Sequence, residues 1–418
     1  MAKKFDIPEF YRSPIVRTVK ESQQILDPKK KDLEPSKLDF GPVQVYIPRH
    51  FGFCYGVENA IDIAYRTIEE NPDRDVYLLS EMIHNQAVNN DLQERGVEFL
   101  FNTDGTERIP IKRLDEDDIV MVPAFGTTVE IQEQLKQKNI NPSLYDTTCP
   151  FVEKVWRRGK QLSKKGYALV IHGKHTHEET RATFSQTAKH SPAVVVLNPD
   201  EAVILAEILT EKRPLADFEH YFGHKSSDGF NPLEDLSHFG VINQTTMLAS
   251  ETKKVMEILK EAAEVRYGES NIEEHFADTS DTLCYATNEN QSATYALTEK
   301  NLDLSLVVGG YNSSNTMHIV EILEHHFPTY HVKAKSEILS ETEICHFNQW
   351  KQKRVKTEQW LPDTDGPLQI GVTSGASCPD VLVDDVILRI LEFYENTRSL
   401  DEVLEPFKKP DQQPVNSQ

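Results

Sequence analysis

The sequence is short of cysteine, of positive charge and of long apolar runs, and each shortage excludes something. Five cysteines in 418 residues do not build a disulfide framework, and an odd number fits a reducing compartment. No two of them form a CxxC pair, so a zinc finger or ribbon is not expected. Lys and Arg number 45 against 67 Asp and Glu, a formal net charge of −22. That balance argues against non-specific binding to nucleic acid or to an anionic membrane, and it permits a small anionic substrate only where local donors are dense. No apolar run approaches the roughly 18 residues of a membrane span. The opening stretch, MAKKFDIPEFYRSPIVRTVKESQQ, has no apolar core of the signal-peptide kind and too many acids for a transit peptide, so a cytoplasmic protein is the expectation. What remains is ordinary for a globular chain: 38% hydrophobic and 27% charged residues, with length for about three domains.

Residues 1–42, which include KKKDLEPSK, read as an N-terminal arm rather than a core element. Order begins at VQVYIP (43–48), an alternating β-rich run. It leads into HFGFCYGVENAIDIAYRTIEE, where Val57, Ala60, Ile61 and Ala64 recur at helical spacing. The same strand–Cys–helix arrangement returns in SLYDTTCPFVEKVWRRGKQL and in HFADTSDTLCYATNENQSATYAL. Between them lie DIVMVPAFG (118–126), YALVIHG (167–173), AVVVLNP (193–199), LSLVVGG (304–310) and LQIGVTSG (368–375). Short apolar strands that end in Gly, Ser or Thr and run into helices mark parallel α/β sheets, whose sites collect at the carboxyl ends of the strands. The expected organisation is three similar α/β domains, 43–148, 149–283 and 284–390, followed by a C-terminal tail, 391–418, that ends in the disorder-prone KKPDQQPVNSQ. The polar stretches 211–238 and 336–366 read as surface insertions.

Cys54, Cys149 and Cys284, 95 and 135 residues apart, each precede a helix-capable segment. One such cysteine alone reads as a small buried hydrophobe. Three in matching contexts point to thiolates stabilised by helix N-termini, a set suited to an iron–sulfur cluster with three ligands and one iron left open. Cys345 (EICHFN) and Cys378 (GASCPD) lack that context. The run IHGKHTHEET (171–180) packs three histidines and two glutamates into ten residues. It is open to three readings: a metal site, an anion site, or a general acid/base pair. His172 and His175 lack the helix-face pairing of a zinc signature and read as bystanders. GGYNSSN supplies Asn312, Ser313, Ser314 and Asn315 after an apolar strand, and GVTSGASCP supplies Ser377. Hydroxyls, amides and helix-start N–H groups of this kind hold an anion without lysine, although NSSN by itself also reads as a turn with a helix cap.

Eight blocks occur in order between about residues 43 and 390: FCYGVENAI, SEMIHNQAV, YDTTCPFVEKV, HGKHTHEET, NQTTM, DTLCYATNENQ, GGYNSSNT and GVTSGASCPD. Together they resemble the LytB family of 4-hydroxy-3-methylbut-2-enyl diphosphate reductases, in its longer plant and cyanobacterial branch. The resemblance implies a trefoil of three α/β domains with mainly parallel sheets. At its centre would sit an oxygen-sensitive [4Fe–4S] cluster held by Cys54, Cys149 and Cys284, with one iron open. It implies reductive dehydroxylation of an allylic diphosphate to isopentenyl and dimethylallyl diphosphate, the last step of the non-mevalonate isoprenoid pathway. Ferredoxin or flavodoxin would supply the electrons. The family's His-x-Glu pattern, with Thr four residues on, falls on His177, Glu179 and Thr183. Glu179 would be the proton donor, Thr245 in NQTTM its relay near the substrate hydroxyl, and His84 and His177 the diphosphate histidines. Asn312, Ser313, Ser314, Asn315 and Ser377 would complete the diphosphate set.

Two departures from the short bacterial form stand out. Glu178 occupies the place of a proline and reads as a solvated or capping residue. Phe125, in Ala-Phe-Gly, replaces a third diphosphate histidine. Two other functions share parts of the pattern: an iron–sulfur hydro-lyase that needs no electron donor, and a non-catalytic redox sensor in which NSSN and HTHE are plain turns. Whether the chain is a monomer or a homodimer is left open.

Overall fold

The computed structural model describes residue 5 and residues 7–11, 13–277, 279 and 282–408. Residues 409–418, most of the expected disordered end, lie outside the described residues. The chain divides into two compact units, residues 55–287 and residues 1–54 with 288–418. In chain order the strands begin with β1 (Ser36–Asp39) and β2 (Val43–Ile47). Next come β3 (Val76–Leu78), β4 (Glu98–Phe99) and β5 (Ile119–Met121), then β6 (Ala168–His172), β7 (Ala193–Val196), β8 (Phe239–Asn243) and β9 (Phe276–Ala277). The last five are β10 (Leu304–Val308), β11 (Thr329–Val332), β12 (Glu343–Asn348), β13 (Lys353–Glu358) and β14 (Leu368–Ser374).

The unit of residues 55–287 holds two wholly parallel sheets, ordered β4-β3-β5 and β7-β6-β8-β9. Every residue of β6, β7 and β8 is buried. Helices cover both faces of such a sheet, which is why these strands read as unbroken apolar runs. The stretch 211–238, expected as a surface insertion, is folded into this core. It carries the helix Asp217–Phe222, and Phe218, Phe222 and Leu236 pack with Val194, Leu205 and Phe239. Burying three side chains of this size contributes roughly 1.5–3 kcal/mol each, enough to order a polar segment.

The other unit is built on one seven-stranded sheet, ordered β1-β2-β14-β10-β11-β12-β13, parallel at its centre and antiparallel at both edges. Here three expectations are corrected. β2 opens the expected domain 43–148, yet it pairs with β14 and not with β3 to β5. The carbonyls and amides of an apolar strand must find a ladder, and the one β2 finds is C-terminal in sequence. Residues 1–42 are not only an arm. The helix Pro14–Leu26 buries Ile15, Val16 and Val19 against Ile370, Val372 and Ile387. Its first turn is held by Asp384, whose carboxylate accepts from Ile15 N at 2.9 Å and Val16 N at 3.0 Å. The stretch 336–366 contains the β12–β13 hairpin, which extends the sheet and buries Ile344 and Trp360. Edge strands show polar side chains to water on one face, so their apolar content is too sparse to read as a strand.

Candidate active site

At the carboxyl end of β6 the chain turns through Gly173 and starts the helix Glu178–Ala188 with His177 as its N-cap. His177 Nδ1 accepts from Glu179 N at 3.2 Å. This assigns the proton of the neutral ring to Nε2. Capping also turns Glu179 inward, where 2% of it is exposed. Thr245, just past β8, donates its N–H to Glu179 Oε1 at 2.5 Å and its hydroxyl to Oε2 at 2.9 Å. Burial disfavours the charged carboxylate and outweighs these two donors and the influence of His84, so Glu179 is raised to about 7. The result is an acid that holds a proton near neutral pH beside a hydroxyl able to relay it.

His84 follows β3, and its Nε2 stands 3.2 Å from His177 Nε2. Phe125, in the place of the short bacterial form's third histidine, stacks on the His84 ring with centroids 4.2 Å apart. It also meets His177 edge-on at 5.6 Å. The aromatic face excludes water and supplies no donor. Gly126 is in the left-handed region, at φ +76°, and a Cβ there would lie 2.3 Å from the Trp156 ring. Glycine therefore lets the Phe125 turn close onto Trp156, whose indole donates to Thr183 at 2.9 Å. Burial, then the neighbouring His84, holds the His177 imidazole well below its ordinary value.

Two cysteines are tied to this cluster. Cys149 N-caps the helix Pro150–Ser163, and its N–H donates to Ala124 O at 2.9 Å, beside Phe125. Cys284 precedes the helix Tyr285–Thr298, and its N–H donates to Thr245 O at 3.2 Å. In the other unit Cys54 precedes the helix Tyr55–Glu70, and its N–H donates to Ala376 O at 3.2 Å. None of the three is in a disulfide. Among the described residues no three His, Cys, Asp or Glu side chains converge on a single metal ion. Three cysteines at helix starts, outside any disulfide, fit an iron–sulfur cluster in donor chemistry.

The unit that contains Cys54 also carries the expected anion donors. Ser313 N-caps the helix Ser314–Glu324, and its Oγ accepts from Thr316 N at 3.3 Å. Asn315 Oδ1 accepts from Ala376 N at 2.8 Å and from Asn290 Nδ2 at 3.4 Å. Its own Nδ2 is buried without a hydrogen-bond partner among the described residues. A buried amide donor left over at a helix start is what an anion would use. The Gly375 turn that leads to Ser377 packs directly on Thr316, where a Cβ would meet the hydroxyl at 2.0 Å.

The other residues singled out by sequence lie elsewhere or differ. His172 is fully buried on β6 with Nδ1 3.1 Å from Thr252 Oγ1, and His175 pairs with the His224 ring at 5.1 Å. Cys345 lies on β12, and burial pushes the Cys378 thiol up. Glu178, expected in solvent or as a cap, is 6% exposed and faces His84 Nε2 at 3.6 Å. Sequence reasoning missed Glu178 and Trp156 as neighbours of the Glu179 cluster, and Asn290 as a neighbour of Asn315, because their types and spacing are ordinary.

Comparison with known proteins gives this chain, with its buried acid–hydroxyl pair tied to a cysteine at a helix start on parallel α/β sheets, its class: an oxidoreductase of a family of iron–sulfur proteins. The chain belongs to the LytB protein family, whose model matches residues 45–391. It is 39% identical over 355 residues to 4-hydroxy-3-methylbut-2-enyl diphosphate reductase of Gloeobacter violaceus, covering 84% of this chain and 83% of that one. A solved (E)-4-hydroxy-3-methyl-but-2-enyl diphosphate reductase matches with a TM-score of 0.50 at 25% identity, over 83% of this chain and 99% of the other. The fold also matches that of E-1-hydroxy-2-methyl-but-2-enyl-4-diphosphate reductase from Plasmodium falciparum, with a TM-score of 0.59 at 20% identity, over 84% of this chain and 88% of that one. Among the described residues no helix is long and apolar enough to cross a membrane.

Proposed function

We propose that this protein reductively removes the 4-hydroxyl of 4-hydroxy-3-methylbut-2-enyl diphosphate to give isopentenyl and dimethylallyl diphosphate. The observation that carries the reading is the Glu179–Thr245 pair, a buried carboxyl raised to about 7 with a hydroxyl bonded to it at 2.9 Å. The reaction takes in two electrons and two protons, and the oxygen leaves as water. Cys54, Cys149 and Cys284 would hold a [4Fe–4S] cluster, which would pass on the electrons and offer an open iron as a Lewis acid. Hydroxide leaves poorly, so a proton must reach the oxygen as the C–O bond breaks. Glu179 holds that proton, and Thr245 passes it on by accepting at Oγ1 and donating its own hydrogen. Water-poor surroundings keep Glu179 protonated between turnovers. His84, His177, Asn312, Ser313, Ser314, Asn315 and Ser377 would take the diphosphate, offsetting the repulsion expected from a chain of net charge −22. Ferredoxin or flavodoxin is the proposed electron source.

The test is turnover by anaerobically purified protein with the substrate, with and without reduced flavodoxin. Formation of both products only with reductant supports the reading. Product formed without reductant points to a hydro-lyase, and substrate that fails to bind points to a sensor. Iron analysis should find about four irons per chain for a cubane, and fewer in Cys149→Ala.

A further inference from the structure

Two groups face one atom, His84 Nε2, and the protons do not add up. His177 Nε2 lies 3.2 Å away, and its N–H points there because its Nδ1 is already accepting from Glu179 N. The neutral His84 ring therefore accepts at Nε2 and carries its hydrogen on Nδ1, facing Glu81 Oε2 at 3.4 Å. The same Nε2 also faces Glu178 Oε2 at 3.6 Å. A ring lone pair opposite a buried carboxylate is repulsive unless a further proton lies between them. The Glu178 side chain is 5% exposed, and neither of its oxygens has a hydrogen bond of good geometry.

We propose that Glu178 is the proton store of His84, a positioning residue that gives up its proton to His84 Nε2 when the substrate's diphosphate arrives. His177 turns its Nε2–H from His84 Nε2 to the anion, the proton of Glu178 Oε2 takes the lone pair so freed, the His84 ring becomes an imidazolium beside the anion, and the carboxylate remains as its counter-charge. Nothing is taken from solvent. The inference rests on the reading that His84 and His177 receive the diphosphate. It also gives the Phe125 site a chemical logic, since a stacked phenyl offers no donor and the missing positive charge is made by transfer within the pair. Burial raises Glu178, against the lowering influence of His84 and of the nearby Ser80 hydroxyl, with Glu81 raising it and Arg181 lowering it further. His177, which shares the His84 nitrogen, is faced by Lys174 and Arg181.

The test measures proton uptake directly. Inorganic diphosphate is titrated into holoenzyme by calorimetry near pH 7.5, in buffers of different ionisation enthalpy. KM for the substrate is followed over the same pH range. The native protein should take up close to no proton. Glu178→Gln, nearly isosteric, should take up toward one proton. Its KM should rise at a pH about one unit lower than in the native protein, since a charge partner at this range shifts a titration by about one unit or more. KM should then be about tenfold higher at pH 8 and unchanged at pH 6, with kcat within about twofold, because Glu179 and Thr245 are untouched. Equal proton uptake in the two proteins overturns the inference. So does a KM change of the same size at every pH, which would mark Glu178 as a fixed charge or a packing group. Glu178→Gln should have no further effect in a His84→Gln background, and an undiminished effect there also overturns it. His84→Gln alone separates the two ideas. If it raises KM while Glu178→Gln does nothing, the proton store fails and the diphosphate reading stands. If His84→Gln leaves KM unchanged, that reading fails and the inference with it.

Discussion

A carboxyl group in the interior is pulled two ways: burial favours its neutral form, and donors favour its charged form. At Glu179 burial wins over the Thr245 N–H and hydroxyl, and the group is raised to about 7. The sign of the pH dependence follows. Glu179 holds its proton below pH 7 and loses it above, so if proton delivery limits turnover, kcat falls about tenfold per unit on the alkaline side. Glu179→Gln keeps the volume and the Thr245 contacts but has no proton to give. It should retain iron and fold while kcat drops roughly 10²–10⁴-fold, and the alkaline limb should disappear. Stopped-flow turnover from pH 6 to 9, with an iron count on the same sample, checks both. Near-normal turnover in the variant removes Glu179 from the role of acid. The types Glu179 and Thr245 were legible in sequence, with their roles carried by family resemblance. Their pairing across 66 positions was legible only through that resemblance, and the burial of Glu178 beside it was not legible at all.

Elements differ in how openly their sequence announces them. β6, β7, β8 and β10 are buried along their whole length. Their apolar runs name them, because a strand covered on both faces has no polar side. The β12–β13 hairpin and the helix Pro14–Leu26 stay hidden because each spends only a few apolar residues on the core. Trp360 tests whether the hairpin segment is structural. It is 2% exposed, packs in the same cluster as Ile344 and Ile370, and donates its indole N–H to Ser340 O at 3.0 Å. Trp360→Ala should cost roughly 3–5 kcal/mol in urea unfolding, and a cost near zero would return the segment to surface decoration. Gly126 is the matching case for a turn. A methyl there meets the Trp156 ring at 2.3 Å and sits at φ +76°. Gly126→Ala should lose about 1–2 kcal/mol for the left-handed backbone alone. It should also displace Trp156 from Thr183, which tryptophan fluorescence would register.

At the scale of the molecule the unexpected fact is that residue 15 and residue 384 depend on each other. Asp384 lies buried on the helix Asp380–Leu391, where burial raises it to about 6 against the lowering effect of the Ile15 and Val16 amides. Those amides are the free donors at the start of the helix Pro14–Leu26, and a carboxylate there also meets the positive end of the helix dipole. Because the folded value lies above the unfolded one, this group's contribution to stability declines as pH rises from about 4 to 6. Removing residues 1–27 would strip away Ile15, Val16 and Val19 and leave the carboxylate without its two donors. Destabilisation of several kcal/mol is expected, with a weaker loss of stability between pH 4 and 6, because water then reaches Asp384 and returns it toward its ordinary value. A single substitution tests whether the N-terminal helix is what buries this group. In the full chain Asp384→Asn relieves a charge that burial disfavours and should raise Tm at pH 7.5. In the truncated chain, where the group is hydrated, it should change Tm little. Thermal unfolding of the four proteins at pH 7.5 reads this difference. If Asp384→Asn shifts Tm equally in both backgrounds, the N-terminal helix does not set the burial of Asp384.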